Sequence, residues 1–189
     1  MTDSFGRNIN YLRVSLTDRC NLRCRYCMPE KGIDKKSHRD ILSLEDIYEI
    51  IQTAVEMGFS KVRLTGGEPL VRKGVIELCR SISGLSGVKD FAMTTNGLLL
   101  PEMARKLKAA GLMRLNVSLD TLDPDKYHQI TRIGSLDDAL AGIAAAEEAG
   151  FTNIKLNTVL IGGFNDCEIP RLVELTKQKS YQVRFIELM

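Results

Sequence analysis

The chain has 189 residues, of which 44% are hydrophobic and 26% charged, and its net charge at pH 7 is +2. This length and composition are typical of a folded protein with one domain or two very small ones. No linker rich in Pro, Gly or Ser divides the sequence, so we predict one domain over residues 1–189. The small net charge excludes a broad nucleic-acid-binding surface, and no stretch is long and apolar enough to span a membrane. The amino terminus has no apolar signal segment, so we expect a cytoplasmic protein.

One plan is repeated three times along the chain: a helix end, a glycine, a large apolar residue and then a strand. The glycines are Gly58, Gly111 and Gly150, each placed where the carboxyl end of a helix favours a left-handed residue. Further strand patterns lie at residues 11–16, 91–95 and 181–187. Strands separated by helices predict a parallel sheet with right-handed crossovers. The near-regular alternation favours an α/β fold of the partial TIM-type (βα)6 barrel kind over an open, doubly wound sheet.

Polar and apolar residues alternate along the predicted strands. When the repeats are aligned on their glycines, Arg63, Asn116 and Lys155 share one position, and Thr65, Ser118 and Asn157 share the position two residues later. Successive side chains point to opposite faces of a strand, so these residues share one face, and Arg13 of the first strand matches them. We expect the apolar face to pack against the helices, which leaves the polar face lining the centre of the barrel.

The centre of the barrel is therefore predicted to contain cations, namely Arg13, Arg63, Lys155 and Arg184. Cations gathered in a low-dielectric interior are costly unless anions accompany them. One interpretation is internal pairing, for which the candidates are Glu68, Asp120 and Glu187. The other is a pocket for a polyanion such as a polyphosphate, which guanidinium and ammonium groups suit.

The segment TDRCNLRCRYC, residues 17–27, places Cys20, Cys24 and Cys27 in a C-x3-C-x2-C spacing. Arginines stand between them, and cations favour thiolates over burial in a core. The chain has five cysteines, an odd number that argues against a disulfide framework. A structural zinc site would need His38 as a fourth ligand. The remaining alternative is an iron–sulfur cluster, in which three cysteines would keep one of four irons open to another ligand.

The cysteine spacing follows the first strand, and TGGEP at residues 65–69 follows the second. This pair of motifs resembles that of the radical S-adenosylmethionine enzymes. Five blocks are similar, in order, to the GTP 3',8-cyclase family of molybdenum-cofactor biosynthesis: LRVSLTDRCNLRCRYCMP, VRLTGGEPLVR, TTNG, LNVSLD and RFIELM. The resemblance spans essentially the whole chain. It implies a lyase that converts GTP to (8S)-3',8-cyclo-7,8-dihydroguanosine 5'-triphosphate, the first step of molybdopterin synthesis, through a 5'-deoxyadenosyl radical.

The resemblance also implies roles for individual residues, none of them a catalytic side chain. It makes Cys20, Cys24 and Cys27 the ligands of a [4Fe-4S] cluster. It implies that S-adenosylmethionine contacts Tyr26, Gly67, Ser118 and Met189. It implies that GTP contacts Arg13, Arg63, Thr94 and Lys155.

The family's chain is longer and carries a second [4Fe-4S] cluster on a C-terminal extension, whose cysteines this sequence does not encode. We therefore interpret the sequence as a fragment, a radical S-adenosylmethionine core domain that ends after the sixth strand. The family implies GTP, an electron donor, a second copy in a homodimer and the next enzyme of the molybdopterin pathway as partners. Two alternatives stay open: another radical S-adenosylmethionine enzyme that modifies a peptide, and a non-enzymatic zinc or iron–sulfur module.

Overall fold

The computed structural model describes residues 2–34 and 40–188, which form one parallel sheet with helices between its strands. The strands are β1 (Tyr11–Ser15), β2 (Lys61–Thr65), β3 (Asp90–Thr95), β4 (Arg114–Ser118), β5 (Ile154–Leu160) and β6 (Gln182–Glu187). The helices are α1 (Leu44–Glu56), α2 (Val75–Ser83), α3 (Leu100–Ala109), α4 (Pro124–Thr131), α5 (Leu136–Glu148) and α6 (Ile169–Gln178). Short 3-10 turns lie at Pro69–Val71 and Asp166–Glu168.

The six strands pair in chain order, and every pair is parallel. Within the described residues β1 does not pair with β6, so the barrel is not closed. The predicted partial (βα)6 barrel is confirmed. In the same residues, no helix combines the length and the apolar character that crossing a membrane requires.

The helix ends that were predicted from the repeat are present. Gly58, Gly111 and Gly150 have φ angles of 98°, 87° and 85°, and each follows the C-cap of a helix. At the other end of α1, the Ser43 hydroxyl accepts a hydrogen bond from the Asp46 N–H, and the Asp46 carboxylate accepts one from the Ser43 N–H. This reciprocal capping starts the helix, and the glycine turns the chain back into the sheet.

The apolar faces of the strands pack against the helices. The side chains of Val62, Leu64, Leu115, Val117, Ile154 and Leu156 are at most 1% exposed. They form one core with helix residues such as Ile51 and Ile82. Burial of one such side chain stabilises the fold by about 1.5–3 kcal/mol, so the apolar residues are held against the helices. The residues that alternate with them along each strand must then point inward. The predicted alternation is confirmed, and it leaves the polar residues on the inner face.

Candidate functional site

The cysteine segment begins as a continuation of the pairing between β1 and β2. Three main-chain hydrogen bonds extend the ladder: Leu16 N to Thr65 O at 2.8 Å, Gly67 N to Thr17 O at 2.7 Å and Glu68 N to Arg19 O at 2.8 Å. The last of these ends one residue before Cys20. The end of β2 therefore fixes where the cysteine segment leaves the sheet.

This extended pairing requires two glycines. A Cβ atom on Gly66 would lie 2.5 Å from the carbonyl oxygen of Thr17, and one on Gly67 would collide with the carbonyl oxygen of Arg19. Both clashes are with backbone, which cannot rotate away as a side chain can. We predicted that Gly67 lies against a cofactor, and the structure adds that this glycine contacts the backbone of the cysteine segment.

All three thiols of the segment line one cavity of about 270 Å³ at the carboxyl ends of the strands. The same cavity is lined by five further residues predicted for the site: Arg13, Tyr26, Gly67, Thr94 and Ser118. Thr65 and Asn157, which share the aligned position with Ser118, line it as well. Met189 and His38 lie outside the described residues. The structure thus brings most of the predicted cofactor contacts together.

The thiols are free, and two of the three differ from the prediction in protonation. Burial, together with Asp120 and the other two cysteines, raises the pKa of Cys24 to about 12. Burial also raises the pKa of Cys20. At Cys20 and Cys24 the expectation that neighbouring arginines would favour thiolates is wrong, because burial outweighs the nearby cations. The Arg23 guanidinium donates to the carbonyl oxygens of Cys20 and Leu22, both at 2.8 Å, and not to a thiol. Metal binding to these cysteines must therefore displace protons.

The three thiols share one cavity, but the described residues do not form a ready-made site for a single metal ion. Across residues 2–34 and 40–188, no three His, Cys, Asp or Glu side chains converge closely enough to hold one metal ion. In a [4Fe-4S] cluster each cysteine would bind a different iron atom.

A hydrogen-bond chain connects Cys20 to the ends of β2 and β3. The Sγ atom of Cys20 accepts from the side-chain amide of Asn96 at 3.8 Å and from the Leu22 N–H at 3.3 Å. The Asn96 N–H donates to Glu68 Oε2 at 2.7 Å. Glu68 is fully buried and also accepts from the Thr95 hydroxyl at 2.8 Å. Glu68 therefore organises the main chain around the cysteines and does not pair with a lumen cation.

Asp120 ties the cysteine segment to the opposite side of the sheet. Its Oδ2 atom accepts from the Tyr26 hydroxyl at 2.7 Å, and its Oδ1 atom accepts from the Val159 N–H at 2.8 Å. The residue is 5% exposed, and burial raises its pKa. Like Glu68, Asp120 accepts hydrogen bonds from neighbouring donors. It is therefore not the internal ion-pair partner that we considered for the inner-face cations.

The predicted cations lie together on the inner face. Burial lowers the pKa of Arg63, and Arg114, Arg184 and Arg13 lower it further, whereas Tyr11 raises it. Burial likewise lowers the pKa of Lys155, and Arg114, Arg184 and Arg63 lower it further, whereas Asp90 raises it. Within the described part of the chain, Arg13, Arg63, Lys155 and Arg184 form no ion pairs. The inner face therefore carries positive charge that is not balanced by ion pairs to these four cations.

An ion pair that we did not predict lies at the amino-terminal ends of β3 and β4. Arg114 donates to both carboxylate oxygens of Asp90, at 2.9 and 2.6 Å, and this lowers the pKa of Asp90. Arg114 stands two residues before Asn116, so the alternation of polar residues could have placed it on the inner face. Its partner Asp90 had no such signal because β3 was predicted to begin one residue later.

Comparison with known proteins identifies the family. The family model described as the Radical SAM superfamily matches residues 14–176. The chain belongs to the radical SAM superfamily. Enzymes of this superfamily use a [4Fe-4S] cluster and S-adenosylmethionine, and the residues that line the cavity fit both: three free thiols on one wall and two adjacent glycines beside them.

Curated relatives of this radical SAM protein carry a more specific name. The GTP 3',8-cyclase of Peptoclostridium acidaminophilum is 59% identical over 189 residues, which is 100% of this chain and 58% of the relative. The GTP 3',8-cyclase of Geobacter sulfurreducens is 54% identical over the same length, again 58% of that protein. The chain thus spans under two thirds of the length of these relatives.

Two solved structures share the fold at low sequence identity. Streptococcus suis SuiB bound to S-adenosylmethionine has a TM-score of 0.77 and 20% identity, over 95% of this chain and 39% of that chain. Methylornithine synthase has a TM-score of 0.71 and 19% identity, over 94% of this chain and 52% of that chain. At these identities the similarity shows the fold alone.

The contact between Gly67 and the cysteine segment predicts the effect of adding one methyl group. We expect Gly67→Ala to displace the segment, to lower the free energy of unfolding by about 1–3 kcal/mol and to reduce the iron bound after anaerobic reconstitution. Gly84→Ala is the matched control, since its Cβ would lie 3.4 Å from the nearest atom. Denaturant unfolding and iron analysis measure both effects. Normal iron content in Gly67→Ala would contradict the requirement for glycine.

Proposed function

We propose that this chain is the radical SAM core of a GTP 3',8-cyclase, a lyase of molybdenum-cofactor biosynthesis. The observation that carries the proposal is the continuity of the cysteine cavity with the cationic inner face. Arg13 lines the cavity and also acts electrostatically on Arg63, and Thr94 lines the cavity while its hydroxyl lies 3.4 Å from the Asn116 amide. The relatives of the same name, 59% and 54% identical over the whole chain, support it.

In this proposal Cys20, Cys24 and Cys27, which line the cavity, would hold the cluster, and three protein ligands would leave one of its four irons open to another ligand. When bound, the cluster and S-adenosylmethionine supply the carbon-centred radical that abstracts hydrogen from the substrate. The chain orients the thiols through the β2 pairing, the Asn96 amide and the Tyr26–Asp120 hydrogen bond. The protein thereby provides position and exclusion of water, while the cofactors provide the reactive chemistry.

S-adenosylmethionine would lie against Tyr26, Gly67 and Ser118, with Met189 as a further contact. The cavity wall contains a polar group that is suited to a bound molecule. Tyr127 lines the cavity and is 2% exposed, and its hydroxyl has no hydrogen-bond partner. An unpaired buried hydroxyl is unfavourable, so a ligand that accepts its hydrogen bond would gain affinity.

GTP would place its triphosphate among the cations of the inner face and its sugar toward the cysteine cavity. Arg63 and Lys155 lie on the inner face, and Arg13 and Thr94 also line the cavity. The Nε atom of Arg63 is buried without a partner, which a phosphate oxygen would provide. A triphosphate also matches the charge of these four cations, which form no ion pairs with the described residues, better than a neutral peptide backbone would. This charge favours a nucleotide substrate over the peptide-modifying alternative.

Several partners follow from the proposed activity. Reduction of the cluster requires an electron donor, and the product requires a further enzyme of the molybdopterin pathway. We also propose a homodimer, and a second [4Fe-4S] cluster on the part of the longer relatives that this chain does not match. These partners and the second cluster are proposed for a protein of the relatives' full length, of which this chain spans 58%.

The ligand assignment predicts a specific loss. We expect Cys24→Ala to bind no intact [4Fe-4S] cluster after anaerobic reconstitution and to yield no 5'-deoxyadenosine with S-adenosylmethionine and dithionite. Cys167→Ala is the control, because this thiol is exposed outside the cavity. Iron and sulfide analysis with chromatography of the nucleoside checks both variants. Continued 5'-deoxyadenosine formation by Cys24→Ala would exclude the assignment.

The cationic inner face predicts a second set of variants. We expect Arg63→Ala and Lys155→Ala each to weaken GTP binding about 10- to 100-fold, as for loss of one charge-assisted hydrogen bond, without changing cluster content. Arg171→Ala, at an exposed position on α6, should bind GTP normally. Isothermal titration calorimetry on the reconstituted chain measures the affinities. Equal GTP affinity in all three variants would refute the proposed triphosphate site.

A further inference from the structure

The carboxyl end of α4 lies against the cysteine segment. The Arg23 N–H donates to the carbonyl oxygen of Thr131 at 3.1 Å, and the Arg25 N–H donates to that of Ile130 at 2.9 Å. Both acceptors belong to the last turn of α4, where helical carbonyl groups have no partner within the helix. The segment thus receives main-chain contacts from the helix as well as from the sheet.

Arg132 follows this last turn and reaches across the segment. Its Nη1 atom donates to the carbonyl oxygen of Arg23 at 2.7 Å and to that of Met28 at 3.0 Å. These two carbonyl groups flank Cys24 and Cys27 in the chain. One guanidinium group therefore joins the two ends of the turn that carries these two cysteines.

The backbone of Arg132 is strained. Its φ is 65° and its ψ is −34°, and among the described residues it is the one non-glycine residue with a positive φ. This combination lies outside the left-handed helical region that L-residues tolerate, where ψ is about +30 to +60°. Such strain persists when surrounding contacts determine the conformation, and it is concentrated at functional sites. A glycine would make the same turn without strain, but it could not reach the two carbonyl groups.

We propose that Arg132 is a positioning residue for the cluster. Its guanidinium holds the Arg23–Met28 turn so that Cys24 and Cys27 face the cavity before the cluster is bound. This inference rests on the proposed assignment of the three cysteines as cluster ligands. It concerns a contact that belongs to the metal-free chain, so it can be tested without the loaded enzyme.

Two substitutions separate the side chain from the backbone conformation. Arg132→Gly removes the guanidinium and relieves the strain, whereas Arg132→Ala removes the guanidinium and keeps the strain. Arg25→Ala is the matched control, since the Arg25 side chain forms no hydrogen bond or ion pair with another described residue and its N–H is retained. The three variants are prepared as the reduced, metal-free 189-residue chain.

Amide hydrogen exchange at Arg23 and Arg25 and alkylation of Cys24 by iodoacetamide report on the turn. Two other cysteines provide internal references in the same sample: exposed Cys167 for reagent activity and fully buried Cys79 for integrity of the core. We expect both Arg132 variants to exchange and alkylate about tenfold faster at the turn, as for loss of a charge-assisted hydrogen bond. Cys79 and Cys167 should react as in the parent chain, and Arg25→Ala should match it throughout.

The pattern across variants decides the role of Arg132. If only Arg132→Ala loosened the turn while Arg132→Gly matched the parent chain, the residue would serve backbone geometry alone and the proposal would be overturned. Faster alkylation of Cys79 in step with Cys24 would likewise overturn it, because the effect would then be global unfolding.

A separate measurement keeps this inference distinct from the ligand assignment. After anaerobic reconstitution, Arg132→Gly should bind less iron than the parent chain. The cluster that this variant still binds should give a broadened EPR signal in the reduced state. Cys24→Ala tests the ligand assignment directly. If Cys24→Ala bound a normal cluster while the Arg132 variants still loosened the metal-free turn, the ligand assignment would fail and the contact itself would stand.

Discussion

The site depends on the main-chain hydrogen bonds that carry the pairing of β1 with β2 beyond the ends of both strands. Leu16, Gly67 and Glu68 donate the three bonds, and the third ends one residue before Cys20. Because hydrogen-bonded backbone is far more restricted than a free loop, the first thiol has a defined position relative to the sheet. The bonds form only because Gly66 and Gly67 have no Cβ atoms, so two adjacent glycines determine the geometry of the cysteine segment.

The inner face of the barrel is organised in layers that follow strand register. One layer, with Thr65, Ser118 and Asn157, faces the cavity of the thiols. The layer two residues earlier, with Arg63, Asn116 and Lys155, carries the positive charge. Since the helices cover the apolar faces, the same alternation that buries the core places the layer that faces the thiols next to the layer that carries the cations. The proposed GTP site needs both layers, one for the triphosphate and one for the end of the substrate nearer the cofactor.

Much of this arrangement could be predicted from local sequence patterns. The glycines after α1, α3 and α5 revealed the repeated helix–strand unit, and the alternation of polar and apolar residues predicted which side chains line the inner face. Both patterns depend on residues that are close together in the chain. The protonation of Cys24 was predicted wrongly, since it depends on burial of the thiol and on Asp120, 96 positions away in sequence. The roles of Asn96 and Arg132 were missed for a related reason: each acts through a hydrogen bond to a distant segment, and neither has a sequence pattern that names its partner.

The most direct test of an iron left open by three cysteines is electron–nuclear double resonance on the reduced, reconstituted chain. S-adenosylmethionine with isotopic labels in its amino and carboxylate groups is added, and hyperfine coupling of the labels to the cluster is measured. Coupling from both labels is expected, because three cysteine ligands would leave one iron open to S-adenosylmethionine, whose proposed contacts Tyr26, Gly67 and Ser118 line the same cavity as the thiols. A cluster of full iron content that shows no coupling to either label would contradict an open iron at this site.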